Sequence, residues 1–284
     1  FSFAGFSKLA SLDIPEDSEL ESIGKNAFMA TGKLMEIYLP ETLKRIDDNN
    51  IGNKNKIHYR GTAADWEKLN YKAAKATVYV LDEARNEVEY VADPYKCGAD
   101  ARYSFDSDSG VLTITGTGAM EDYTSVANTP WYELCSQIKA VVVQSGITSV
   151  GGYAFAECEN LEKVTLADTV TSIGTYAFRT DTKLTEINLE NVQLLGNSCF
   201  TGCVGLSQAN LYSARSIGEQ AFTNCTGLTE VSLGSAETCV AEIGKRAFNG
   251  CTSLKTVAFT NVKKIVDYAF EKAALESADL SSVE

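Results

Sequence analysis

The residues best equipped for chemistry in this chain are eight cysteines, one histidine and a surplus of carboxylates. His58 is the sole imidazole, which removes most zinc sites and most acid/base constellations. It lies in a strand-like stretch, and no serine or cysteine is marked by spacing as a nucleophile for it. Carboxylate pairs such as Asp47 and Asp48 abound, but a glycosidase needs two carboxyls at a defined separation, one with a raised pKa. No spacing here singles out such a pair. DSDSG at 106–110 has the look of a calcium-loop opening, yet Thr117 stands where a bidentate glutamate is required, so it reads as a hairpin turn. GTG at 116–118 lacks the lysine and hydroxyl of a phosphate loop and also reads as a turn. No catalytic residue, metal or cofactor is therefore expected, and the chain does not read as an enzyme.

The totals exclude further classes. Lysine and arginine number 25 against 38 aspartates and glutamates, a net charge of -13 over 284 residues. Such a surface repels nucleic-acid backbones and anionic lipid alike. No apolar run approaches the roughly 18–20 residues of a membrane span, so no membrane insertion is expected. The opening FSFAGFSKL has no signal-peptide pattern and looks like the middle of a repeat, so both ends read as cuts within a longer protein.

What must position any functional residue is a repeat. SVGGYAF at 149–155 returns as SIGTYAF, LLGNSCF, SIGEQAF, EIGKRAF and KIVDYAF, with phenylalanines at 155, 178, 200, 222, 248 and 270. A branched apolar residue precedes each by five positions: Val150, Ile173, Leu195, Ile217, Ile243 and Ile265. Six residues after most of these phenylalanines, an L-x-x-V-x-L run begins, as in Leu161, Val164, Leu166 and in Leu228, Val231, Leu233. Leu275, Ala278 and Leu280 form a last copy, one residue early. The first third carries the same unit: Phe3 with Leu9, Leu12 and Ile14, then SIGKNAF with Leu34, Ile37 and Leu39, then Ile46 and Ile51 in a degenerate copy. A unit this short cannot bury its apolar face alone, so the copies must stack into a solenoid. The 26-residue spacing near GSAETCVAE at 234–242 reads as an edge insertion.

Copies such as AFAECENLEKVTL and AFTNCTGLTEVSL resemble the BspA-like branch of leucine-rich-repeat proteins, over roughly residues 1–60 and 140–284. The resemblance implies an α/β or mostly β solenoid, a right-handed superhelix of ~22–23-residue repeats with a parallel sheet on one face. It also implies a bacterial protein, secreted or at the cell surface, engaged in adhesion or protein binding. Three parts are expected: residues 1–92, a first array with its end cap; 93–140, a β-hairpin cap; and 141–284, a second array cut short. Trp66, in a short helix capped by Thr62 and laid across the end of the first stack, and Trp131, before the second, fall where covers are needed. Residues 76–92 read as a hairpin around EARN and 102–115 as another turning at DSDSG.

Cys158, Cys203, Cys225 and Cys251 share one repeat position, three after the phenylalanine, and read as a column of buried thiols that Asp181 interrupts. Cys199 fills the alanine slot of an AF pair. Cys97, Cys135 and Cys239 fall in caps or loops, where a bridge and a stray thiol are equally consistent. A reduced column in an exported protein would point to an anaerobic host.

If the sheet face binds, its outward positions are Glu36, Lys163, Glu186, Gln208 and Glu230 in one column and Tyr38, Thr165, Asn188, Asn210 and Ser232 in the next. Tyr212 lies just beyond the strand. These side chains suit a protein or glycan ligand recognised through many hydrogen bonds. The alternative is a structural spacer that presents another domain of a larger surface protein.

Overall fold

In the computed structural model, the residues described are 3–47, 51, 56–69, 71, 76–91, 93–234, 242–259 and 262–276. They form two compact units, Phe1–Asp93 and Pro94–Glu284, each with its own apolar core.

In the first unit, the runs led by Leu9 and Leu34 become strands β1 (Ser11–Asp13) and β3 (Glu36–Leu39), the S-I and R-I pairs become β2 (Ser22–Ile23) and β4 (Arg45–Ile46), and β5 (Lys56–Thr62) follows the degenerate copy. Helix α1 (Ala63–Lys68) and strands β6 (Thr77–Leu81) and β7 (Glu87–Glu89) complete it. The sheet order is β1-β3-β5-β6-β7, parallel until the antiparallel β6–β7 hairpin, with β2–β4 forming a second small sheet. Thr62 caps α1 as expected: its hydroxyl accepts the Asp65 N–H, and Asp65 reaches back to the Thr62 N–H. The placing of α1 across the end of the stack needs correction. Because β6 pairs parallel with β5, α1 is the crossover between two strands of one sheet, and the hairpin closes the edge instead. Trp66 is buried against Tyr59 beneath that crossover.

The second unit begins with the hairpin of β8 (Gly98–Asp106) and β9 (Val111–Met120). Asp106 makes the turn: its carboxylate accepts the Asp108 N–H and the Ser109 hydroxyl, which holds it below its ordinary pKa. The GTG segment is not a turn but part of β9. Gly116 has φ 104°, and a Cβ there would run into the Asp100 carbonyl. The bend lets the first half of β9 pair with β10 (Ala140–Val143) and its second half with β11 (Ile147–Val150). From this corner two parallel ladders grow. The first continues through β12 (Lys163–Leu166) and β14 (Glu186–Ile187). The second continues through β13 (Ser172–Ile173), β15 (Leu194–Leu195), β17 (Ser216–Ile217) and β19 (Glu242–Ile243). A separate three-stranded sheet holds β16 (Gln208–Leu211), β18 (Glu230–Leu233) and β20 (Thr256–Phe259).

Between the ladders runs the core. Phe155, Phe178, Phe200, Phe222 and Phe248 are fully buried, and successive rings, on to Phe270, stack at 5.1–5.6 Å within 19° of parallel. Trp131 extends the column one rung into the cap, stacked 5.2 Å from Phe155, with its indole N–H donating to the Ala154 carbonyl at 2.7 Å. In the first unit Phe3 stacks on Phe28, and buried Ile51 takes the phenylalanine place of the degenerate copy. The glycine of each I-G pair follows from close stacking of coils. A Cβ on Gly196 would sit 2.6 Å from the Gly174 backbone. Ala278, Leu280, Cys239, Asp48 and most of the 234–242 insertion lie outside the described residues.

Candidate binding face

Strand alternation puts every second side chain of the L-x-x-V-x-L strands outward, and the parallel register aligns them in columns. In the first unit Glu36 lies beside Lys56, and Tyr38, His58 and Tyr79 form the neighbouring column. Their rings stack, with centroids 4.3 Å and 4.9 Å apart and planes within 12°. Arg60 lies 5.4 Å over the Tyr38 ring and donates to Asp13 Oδ1 at 2.8 Å and to the Ile14 carbonyl at 2.6 Å. His58 is almost buried between the phenols. Its Nδ1 is 2.7 Å from Glu87 Oε1, while Nε2 faces Glu36 at 3.9 Å and has no hydrogen-bond partner among the described residues. The imidazole therefore bridges the hairpin carboxylate to the sheet, with phenol rings rather than a nucleophile against its faces.

His58 and Tyr79 are the face residues that sequence reasoning missed. Both strands lack the phenylalanine-led repeat that fixes register elsewhere; the usable signal was alternation alone, in IHY and VYV.

The second unit's columns are plainer and are divided. Lys163 pairs with Glu186 at 2.6 Å, and Thr165 is exposed. Asn188 is committed to the fold: its Oδ1 accepts the Leu166 N–H and its Nδ2 donates to the Leu166 carbonyl, both at 2.8 Å. A side chain thus replaces the main-chain ladder, β14 stops at Ile187, and the sheet is interrupted before β16. Gln208, Asn210, Glu230 and Ser232 line the separate sheet beyond that break, the first and third exposed and the others half-buried. Tyr212 is 45% exposed just past β16. Away from the sheets, a cleft of about 450 Å³ is lined by Glu157, Glu159, Asn160, Thr180, Thr182 and Lys183, where Lys183 donates to Asn160 at 2.7 Å.

The cysteine column differs from expectation. Cys158 is not a thiol: it is bridged to Cys135 of the cap, with a Cα–Cα distance of 5.0 Å. Cys135 precedes Cys158 by 23 residues, one repeat length, and is bonded to the column's first rung although the cap carries no repeat motif. Cys203, Cys225 and Cys251 are buried thiols, as is Cys199 in its small slot. Cys97 is buried in the core of the second unit.

Parallel ladders on two sides of a stacked phenylalanine column, one of them built from L-x-x-V-x-L strands, define a leucine-rich-repeat solenoid. More narrowly, the chain belongs to the BspA type leucine rich repeat family, whose profile matches residues 1–72, 124–239 and 215–284 in six copies. No curated protein matches it. Among solved structures it is similar to a leucine-rich repeat protein from Bacteroides ovatus, 24% identical over 96% of this chain and 73% of that one, with a TM-score of 0.45. It is also similar to the pneumococcal vaccine antigen PcpA, 14% identical over 96% and 78% of the two chains, with a TM-score of 0.45. A T. pallidum leucine rich repeat protein is 23% identical over 58% of this chain and 82% of its own, with a TM-score of 0.44. No helix among the described residues is long and apolar enough to cross a membrane.

Proposed function

We propose that this chain is a non-catalytic recognition module of a secreted or cell-surface bacterial protein, binding a protein or glycan partner through the sheet face of its first unit. The observation carrying this reading is the outward Tyr38–His58–Tyr79 column, bordered by Glu36, Glu87 and Arg60. Tyrosines combine contact area with hydrogen-bonding edges and lose little conformational entropy on binding, which suits them to anchor an interface. The Cys135–Cys158 bridge supports export, because disulfides persist in oxidising compartments. The test is a binding screen of the purified chain against arrayed extracellular-matrix proteins and glycans, repeated with a Tyr38→Ala/Tyr79→Ala variant checked for an unchanged melting temperature. A specific hit should weaken at least about 10-fold in the variant, as truncation of interface anchors does. A hit that the variant binds equally well would place recognition elsewhere.

A second reading, a spacer holding another domain away from the cell, draws support from the second unit. There the outward Lys163, Glu186 and Asn188 bond repeat to repeat. A blank in both panels would favour it.

A further inference from the structure

The column three residues past each phenylalanine carries Cys158, Asp181, Cys203, Cys225 and Cys251 in successive rungs, and Cys135 of the cap is bonded to the first of them. Neighbouring rungs are close enough to bridge, because Cys135 and Cys158 do so across one repeat length of 23 residues. Asp181 sits a further 23 residues on and accepts the Cys158 N–H at 2.9 Å, so its side chain lies directly against the bridged rung. On its other side is Cys203, whose Sγ–H donates to the Phe178 carbonyl at 3.0 Å. Cys225 and Cys251 repeat that contact with Phe200 and Phe222 at 3.1 Å each. Asp181 is thus the one residue between an oxidised pair and three reduced, fully buried thiols.

We propose that Asp181 is a redox break, keeping the Cys135–Cys158 bridge that fastens the cap to the first repeat from exchanging with the thiol column. Exchange requires a thiolate to reach a disulfide sulfur along the S–S axis. With rungs about 5 Å apart, a thiol at position 181 would meet that condition, whereas Cys203 stands two rungs, about 10 Å, from Cys158. Aspartate fills the intervening rung with a group that can neither attack nor leave. Burial reinforces the separation by pushing the Cys203 and Cys225 thiols well above their usual range, which suppresses the thiolate.

Replacing the break should open the column. In Asp181→Cys, the thiolate introduced at position 181 attacks Cys158 Sγ. A bond from Cys158 to the introduced sulfur forms as the Cys135–Cys158 bond breaks, and Cys135 leaves as a thiolate that takes up a proton. One disulfide remains, so no net oxidant is consumed. The experiment is non-reducing peptide mapping of folded wild type and Asp181→Cys after equilibration in a reduced/oxidised glutathione buffer and acid quenching. Wild type should show Cys135–Cys158 and no bridge from either cysteine to Cys203, Cys225 or Cys251. The variant should move about half of its bridge to the pairing of Cys158 with the introduced thiol, as expected for two pairings of similar geometry. A variant that keeps Cys135–Cys158 as completely as wild type overturns the proposal. Should the variant fail to fold, Cys135→Ser/Asp181→Cys in the same glutathione buffer decides it: a bridge between Cys158 and the introduced sulfur upholds the break, and a Cys158 left as a thiol overturns it.

Discussion

Asp181→Asn should stabilise the second unit, by an amount that grows with pH. Asp181 is fully buried, Oδ1 accepts the Cys158 N–H, and Oδ2 has no hydrogen-bond partner among the described residues. Burial raises its carboxyl well above the ordinary value of 3.8, outweighing that hydrogen bond, and Glu157 adds repulsion. In the unfolded chain the carboxyl loses its proton above 3.8, while in the folded protein it keeps it, so folding must take a proton up. Stability from this group is complete below 3.8 and is lost as pH rises toward the folded-state value, by about 1.36 kcal/mol per pH unit. Asparagine does not titrate, keeps the acceptor for the Cys158 N–H, and places a donor where the column's thiols address a phenylalanine carbonyl. From about pH 5 to 7, the advantage of Asp181→Asn should therefore widen as the pH rises. All other titrating groups are shared by the two proteins and cancel in the difference. The assay is urea unfolding at pH 5, 6 and 7 in a Trp66→Phe background, which leaves Trp131, buried against Phe155, as the only tryptophan. A difference that stays flat within about 0.5 kcal/mol across that range would show that Asp181 is not held as a neutral acid, and the burial argument would fail.

Three further outcomes are expected from the same unfolding measurement. Phe200→Ala should cost about 3–5 kcal/mol, because it empties a fully buried ring position between Phe178 and Phe222; a loss under about 1 kcal/mol would mean the column does not carry the stack. Cys135→Ser/Cys158→Ser should lower stability by about 3 kcal/mol, the loop-closure entropy of a cross-link spanning 23 residues, and dithiothreitol should lower wild type to the same midpoint. Asn188→Ala should cost about 1–3 kcal/mol, since the Leu166 N–H and carbonyl both lose their partner; an unchanged midpoint would show that water replaces the amide without penalty.

The solenoid was legible because its signal is redundant. Each copy of the I-G-x-x-A-F and L-x-x-V-x-L patterns is weak alone, but their recurrence fixes strand positions, register and the phenylalanine core together. The positions of Phe155 to Phe270, the inward Val164 and Leu166, and the outward Lys163 and Thr165 all follow from it. The hairpins also showed, since alternation and turn chemistry at DEARN and DSDSG are local properties. The partly committed state of the predicted face did not show. Asn188 has the same strand position as Thr165 and Asn210, and only the neighbouring backbone decides whether its amide faces solvent or replaces a ladder.

By itself, then, the sequence determined what is repeated: the stacked coils, the ring column, the alternating faces and the family to which the chain belongs. Tertiary structure decided what occurs once. It brought Cys135 to the first rung of the cysteine column, set His58 between Tyr38 and Tyr79, bent β9 at Gly116 to start two ladders, and made α1 a crossover. The reason is physical. A repeated contact is written into the chain by its period, whereas a single contact between a cap and a stack depends on where two segments without a shared period meet in space.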